Sequence, residues 1–243
     1  MNDSIMLKIV GIMLLLFSVT LVIPLITSLI YSDGNHYTFV YSFLIILGLG
    51  SILYLPNISA KNDIKIKEGF LIVVLFWIIL SLVSSIPFML DKQLSLTFAD
   101  AFFESVSGWT TTGATIINNL VILSPSILIY RQELQWLGGM GIVILALAIL
   151  PMLGVGGMQL YKAESTGPIK DNKISPRIAE TAKSLWSIYL GLTVSCAFLY
   201  YVAGMDLFDA IAHSFSTIAI GGFSTHDLSI GYYNNYLIEI ICI

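Results

Sequence analysis

The stretch "SGWTTTGATI", residues 107–116, sets four threonines, two glycines and a tryptophan between two strongly apolar segments. Hydrocarbon offers such a run no hydrogen-bond partners. Backbone and side chains of this kind are tolerated at membrane depth only when buried in protein or lining a water-filled cavity. The run must therefore face water, a ligand or an ion, and its surroundings decide which.

Of the 243 residues, 57% are hydrophobic and 11% are charged, with a mean hydropathy of +0.89. Soluble domains carry about 25% charged residues. This is the composition of an all-α polytopic membrane protein. The net charge of −4 says little about partners, because position outweighs the sum in a membrane; membrane lipid is expected around the chain, and nucleic acid is not. Cys196 and Cys242 lie in apolar runs, match no metal or redox spacing, and read as packing residues. The apolar run 9–30, interrupted by Pro24, is longer than a signal-peptide core and reads as a retained membrane helix.

Spanning the hydrocarbon takes roughly 20 apolar residues. Candidate spans are 6–30, 38–55, 69–90, 127–153 and 185–204, with a sixth run starting near Tyr236. Two shorter stretches, 97–109 and 206–218, suit re-entrant helices. Nine of the eleven basic residues (Lys8, Lys61, Lys65, Lys67, Lys162, Lys170, Lys173, Arg177 and Lys183) fall on one side of these spans. The positive-inside rule makes that side cytoplasmic, with the N-terminus. The short helices and the threonine run then open outward. In the polar segment 156–184, Ser175 and Pro176 suit a helix N-cap and N1.

The chain repeats itself at an offset of 109 residues. "DAFFESVSGWTTTGAT" (100–115) lies over "DAIAHSFSTIAIGGFS" (209–224), pairing Asp100 with Asp209, Ser105 with Ser214, Ser107 with Ser216 and Gly113 with Gly222. The predicted organisation is a leading helix pair (1–60), a first pore repeat (69–155), a cytoplasmic loop (156–184) and an incomplete second repeat (185–243). Each repeat reads as membrane helix, pore helix, filter, membrane helix, giving about six spans and two re-entrant pore helices. Asp100 and Asp209 are expected to cap the pore helices. The helices' C-terminal ends then aim negative dipole at the pore centre, which favours a cation. Glycine lets the returning chain take positive φ, and threonine adds hydroxyl acceptors. This is the plan of a carbonyl-lined cation filter, without the TVGYG of tetrameric potassium channels.

These motifs, together with "QELQWLGGMGIVILALAILPMLGVGGMQLYKAESTGP" (132–168), resemble the Trk-type potassium uptake subunits of the Trk/Ktr/HKT superfamily, over their N-terminal half. The resemblance implies two leading helices and four pore repeats around one pore in a bacterial inner membrane. It implies filter glycines at Gly113 and Gly222, with potassium contacts from Thr111, Thr112, Ile220 and Gly221. It further implies a homodimer on a cytosolic nucleotide-binding regulatory ring, with potassium as transported ion and no cofactor. Passage is channel-like or coupled to the membrane potential. Two repeats supply only half of a fourfold site, so the competing reading is a non-conducting fragment that needs the missing third and fourth repeats. A secondary symporter with broken helices is the other alternative, disfavoured because the repeat runs in one direction.

Remaining features read more plainly. "GGMG" (138–141) suits close helix packing, and "GVGG" (154–157) a helix end. Arg131 and Glu133 are expected at the membrane interface. Glu104 is expected in the outer vestibule, and His213 behind the filter as a satisfied polar residue. No Ser/His/Asp group, metal-ligand cluster or nucleotide loop suggests an enzyme.

Overall fold

A backbone in hydrocarbon must satisfy its own hydrogen bonds, and helices do so within one segment. The computed structural model describes residues 3–60, 66–152 and 174–243, and within them the regular structure is helical. The helices are α1 (Asp3–Thr20), α2 (Val22–Tyr31), α3 (His36–Tyr54), α4 (Ile66–Leu90), α5 (Phe98–Trp109), α6 (Pro125–Met152), α7 (Ile174–Val202), α8 (Leu207–Ile218) and α9 (Tyr236–Cys242). Among the described residues, four segments are long and apolar enough to cross a membrane: Ser4–Tyr31, His36–Asn57, Gly69–Leu90 and Thr181–Val202. The first combines α1 and α2, which break at Leu21. Pro24 has no N–H for the Thr20 carbonyl, so the helix turns there. α6 is as long as the spans, at 28 residues, but carries Arg131, Gln132, Glu133 and Gln135.

α5 and α8 have 12 residues each. At 1.5 Å per residue each is about 18 Å long, well short of a hydrocarbon core of about 30 Å. Both are therefore too short to cross it, as their lengths in the sequence predict. The segment 174–184, where Ser175 and Pro176 suit a helix start, begins a helix at Ile174. It is helical and continuous with the span, because no glycine or proline follows Pro176 before Gly191. The "GVGG" at 154–157 and most of the predicted loop lie outside the described residues.

Polar ties at the two ends of the bundle set its topology. At one end Lys8 Nζ donates to the Ile58 and Ala60 carbonyls, at 2.6 and 3.1 Å, closing the end of the α3 span. At the other end Asp33 accepts from the Asn35 and Ser126 backbone N–H groups, both at 3.0 Å, and from the Ser28 hydroxyl. Asn35 Nδ2 donates to Asp91 and to Ser124, each at 2.6 Å. The α2–α3 turn, the α4–α5 turn and the start of α6 thus share one end. Burial alone would raise the Asp33 carboxyl, but these hydrogen bonds outweigh it and hold it below the usual carboxylate range.

One apolar core joins α1, α3, α4, α5 and α6 through Phe17, Phe39, Ile46, Phe88, Trp109, Ile127 and Leu134. A smaller one gathers Cys196, Tyr200, Met205, Ala210 and Ile238 from the second repeat. Cys196 is buried there as a packing residue, and both cysteines are free. α1 and α3 cross where Gly11 meets the Tyr54 backbone; a Cβ on Gly11 would lie 2.7 Å from Tyr54 N. Gly48 on the same helix pair faces open space. Gly11→Val is therefore expected to destabilise the protein by about 1–3 kcal/mol through overpacking. Gly48→Ala should stay neutral or slightly stabilising. Thermal unfolding in detergent, followed by tryptophan fluorescence, distinguishes the two.

Candidate functional site

Each short helix begins with a side-chain cap, at positions 109 apart. Thr97 caps α5: its hydroxyl accepts from Asp100 N, and the Asp100 carboxylate accepts in return from Thr97 N. This is a capping box. Asp206 caps α8 by accepting from Asp209 N at 2.9 Å. The cap residues are thus Thr97 and Asp206, and the sequence reading placed them three residues late. Asp100 completes its cap as the third helical residue. Asp209 instead turns away from the helix end, accepting from Thr225 and His226 at 2.7 Å each and from the Tyr233 hydroxyl. Burial opposes its ionisation, but these donors hold its carboxyl below the usual range.

The two helices end in the same hydrogen-bonded turn. Thr110, Thr111 and Thr112 donate backbone N–H groups to Val106, Gly108 and Ser107. Ala219, Ile220 and Gly221 donate to Phe215, Thr217 and Ser216, the same positions one repeat later. Thr111 and Ile220 both have φ of +53°, in the left-handed region, and Gly113 and Gly222 follow at +74° and +84°. A β-branched residue seldom adopts positive φ, and such strain clusters at functional sites. The two segments meet directly, since a Cβ on Gly113 would overlap the Gly221 carbonyl oxygen. Gly113 is required twice over, by its φ and by this approach. Among the described residues no donor reaches the carbonyls of Thr111, Thr112, Gly113, Ile220 or Gly222. The Gly221 carbonyl accepts from Gln135 Nε2 at 2.7 Å.

Behind each turn a pore-helix side chain holds a hydroxyl of the outgoing chain, again one repeat apart. Glu104 accepts from the Thr115 hydroxyl at 2.9 and 3.0 Å and from Ile116 N at 3.3 Å. His213 donates Nδ1–H to the Asp209 carbonyl and accepts from the Ser224 hydroxyl through Nε2, both at 2.9 Å. His213 is buried and satisfied behind the second turn. Glu104, expected in the vestibule, is fully buried and forms an ion pair with Arg131 at 2.9 Å. Arg131 also donates to the Ser224 carbonyl and to Thr115, each at 3.1 Å, and stacks on Phe223. It joins the two repeats.

α6 presents Arg131, Gln135, Gly138 and Gly139 along one face, by the spacing i, i+4, i+7, i+8. Gln135 Oε1 accepts from Phe223 N at 3.0 Å. Gly138 lies against the backbone of Trp109, the last residue of α5, and Gly139 against Ala219, the residue that caps α8. The paired glycines let α6 wedge between both helix ends. Arg131 and Glu133 were expected at the interface. α6 starts at Pro125, so both sit nearly two turns inside it, and both are buried. Neither Glu133 oxygen has a hydrogen-bond partner among the described residues.

With this geometry established, the comparisons are specific. A family model described as TrkH, cation transport protein, matches residues 35–243. The chain belongs to the TrkH cation transport family. Its relatives include the Trk system potassium uptake protein TrkH of Halomonas elongata, 55% identical over all of this chain and half of that protein. The Escherichia coli K12 protein of the same name is 58% identical over 96% of the chain and 48% of its own length. The crystal structure of the potassium transporter TrkH from Vibrio parahaemolyticus superposes with a TM-score of 0.89 at 50% identity, covering all of this chain and 48% of that one. The chain thus spans about half the length of these TrkH relatives. Membership in this family, with its apolar helices, makes it part of a multi-pass membrane protein.

The structure brings Thr111, Thr112, Gly113, Ile220, Gly221 and Gly222 into one place, with Asp100 and Asp209 at the far ends of the pore helices. Sequence reasoning missed Thr97, Asp206, Thr115, Ser224 and Gln135. The hydroxyl pair Thr115 and Ser224 was visible at the repeat offset, and Gln135 in its helical spacing from Arg131 and Gly139. Removing one member of a buried ion pair typically costs about 3–5 kcal/mol. Glu104→Ala should therefore lower folded yield and melting temperature sharply in detergent. Glu104→Met with Arg131→Met should recover much of that loss, because no unpaired charge remains.

Proposed function

We propose that this chain supplies half of a potassium-selective pore for ion uptake, with the two turns at 111–113 and 220–222 as two of its filter strands. One observation carries the reading. Left-handed residues recur at the same positions of both repeats, directly after a short helix, and among the described residues the carbonyls there, Gly221 excepted, have no protein donor. A dehydrating cation can exchange its water for such oxygens. The C-termini of α5 and α8 end at these turns and add the negative end of each helix dipole. Potassium is supported over other cations by the printed names of the relatives.

Two strands make half of a fourfold ring, and Ile220 is 88% exposed beside them. The proposal is therefore of a pore completed by further repeats, as the family resemblance implies. The resemblance also supports a homodimer docked on a cytosolic nucleotide-binding ring. The distribution of basic residues supports a cytoplasmic N-terminus, and the family resemblance supports a bacterial inner membrane.

The test is rubidium and sodium uptake by the complete gene product containing this chain, in cells lacking their own potassium uptake. Gly113→Ser places a side chain at φ +74°, a backbone cost of about 1–2 kcal/mol, and sets its Cβ against the Gly221 carbonyl. Potassium-over-sodium discrimination is expected to fall about five- to thirtyfold. Unchanged discrimination, with normal membrane insertion, would show that these turns do not form the filter.

A further inference from the structure

The two filter turns share a backbone, and at one position the first carries a side chain where the second has none. Thr112 in the first corresponds to Gly221 in the second, and each donates the same hydrogen bond back to its pore helix. Unlike Gly113 and Gly222, Gly221 does not have positive φ. Its backbone conformation therefore does not demand glycine. Space does while Gln135 keeps its place: a Cβ there would collide with the carboxamide of Gln135, lying 2.8 Å from Nε2 and closer still to Cδ and Oε1, and would push it off this strand.

Gln135 is fully buried and spends both ends of its carboxamide on this strand. Nε2 donates to the Gly221 carbonyl at 2.7 Å, and Oε1 accepts from Phe223 N at 3.0 Å. These bonds bracket Gly222, the strand's left-handed glycine. In the first strand Thr112 carries its own side chain, whose hydroxyl pairs with that of Thr110 at 2.7 Å. There the hold comes from Glu104, further along at Thr115 and Ile116.

We infer that Gln135 is a positioning residue that sets the ion preference of the second filter strand, with Gly221 kept small to admit its carboxamide. The inference rests on the filter reading above. Two buried hydrogen bonds resist any shift of Gly222 toward a smaller ion. They also turn one lone pair of the Gly221 carbonyl toward protein, so Ile220 and Gly222 carry more of that strand's ion contact. The filter is thus built unequally: both outgoing chains are held behind the turn, by Glu104 at Thr115 and by His213 and Arg131 at Ser224, and the second strand alone is also held beside its glycine by a carboxamide from the neighbouring helix.

The experiment uses the complete gene product, with rubidium and sodium uptake measured against the amount of inserted protein. Gln135→Met keeps the length and removes both bonds. Gln135→Glu keeps an acceptor for Phe223 and sets an oxygen against the Gly221 carbonyl. Each is expected to lower potassium-over-sodium discrimination about fivefold or more, the factor carried by a lost hydrogen bond, while protein amount changes little. Wild-type discrimination in both variants, with Gly113→Ser still relaxing it, overturns the inference and leaves the filter reading intact. No change in either the Gln135 variants or Gly113→Ser overturns both. Should the Gln135 variants fail to insert, Gly221→Ala decides. Alone it should abolish uptake, and with Gln135→Ala it should regain it; absence of that rescue overturns the inference.

Discussion

Arg131 and Glu104 place opposite charges 2.9 Å apart with almost no solvent contact. Desolvating two charges costs several kcal/mol each, and the attraction repays this only when the remaining donors and acceptors are also satisfied. Here they are. Glu104 takes up the Thr115 hydroxyl and Ile116 N, and Arg131 takes up the Ser224 carbonyl. The pair therefore does more than neutralise itself. It fixes the chain leaving the first turn to the chain leaving the second, and a buried charge has no lower-energy alternative nearby. Gln135, one helical turn further along α6, and the Gly138–Gly139 wedge extend the same alignment to the pore-helix ends.

The internal repeat preserves geometry while changing chemistry. A carboxylate at 104 and an imidazole at 213 perform the same task, holding a hydroxyl two residues beyond the left-handed glycine. Threonine caps one pore helix and aspartate the other. The backbone at 111–113 and 220–222 is the most closely repeated element, including positive φ at residues as different as threonine and isoleucine. What is common to both copies is where the carbonyls are, and what differs is how each copy is supported.

Much of this could be read beforehand, for a physical reason. Segment length against membrane thickness separates the short helices from the spans, and glycine spacing survives in a repeat because positive φ has few other solutions. Support residues were harder to read. A charge near the start of an apolar segment, like Arg131, looks interfacial until the true helix start at Pro125 places it almost two turns inside. Asp100 and Asp209 look like caps because acidic residues favour helix starts, yet Thr97 and Asp206 occupy the cap positions. Partners such as Gln135 and Phe223, 88 residues apart, leave no local pattern at all.

The central claim is that the backbone at 111–113 and 220–222 holds a cation. The most direct measurement is a structure of the complete gene product in rubidium or thallium, with anomalous scattering used to locate the ion. The account predicts a peak between the two turns, within coordination distance of carbonyls adjoining Gly113 and Gly222. Ion density along the pore that bypasses these turns would contradict it.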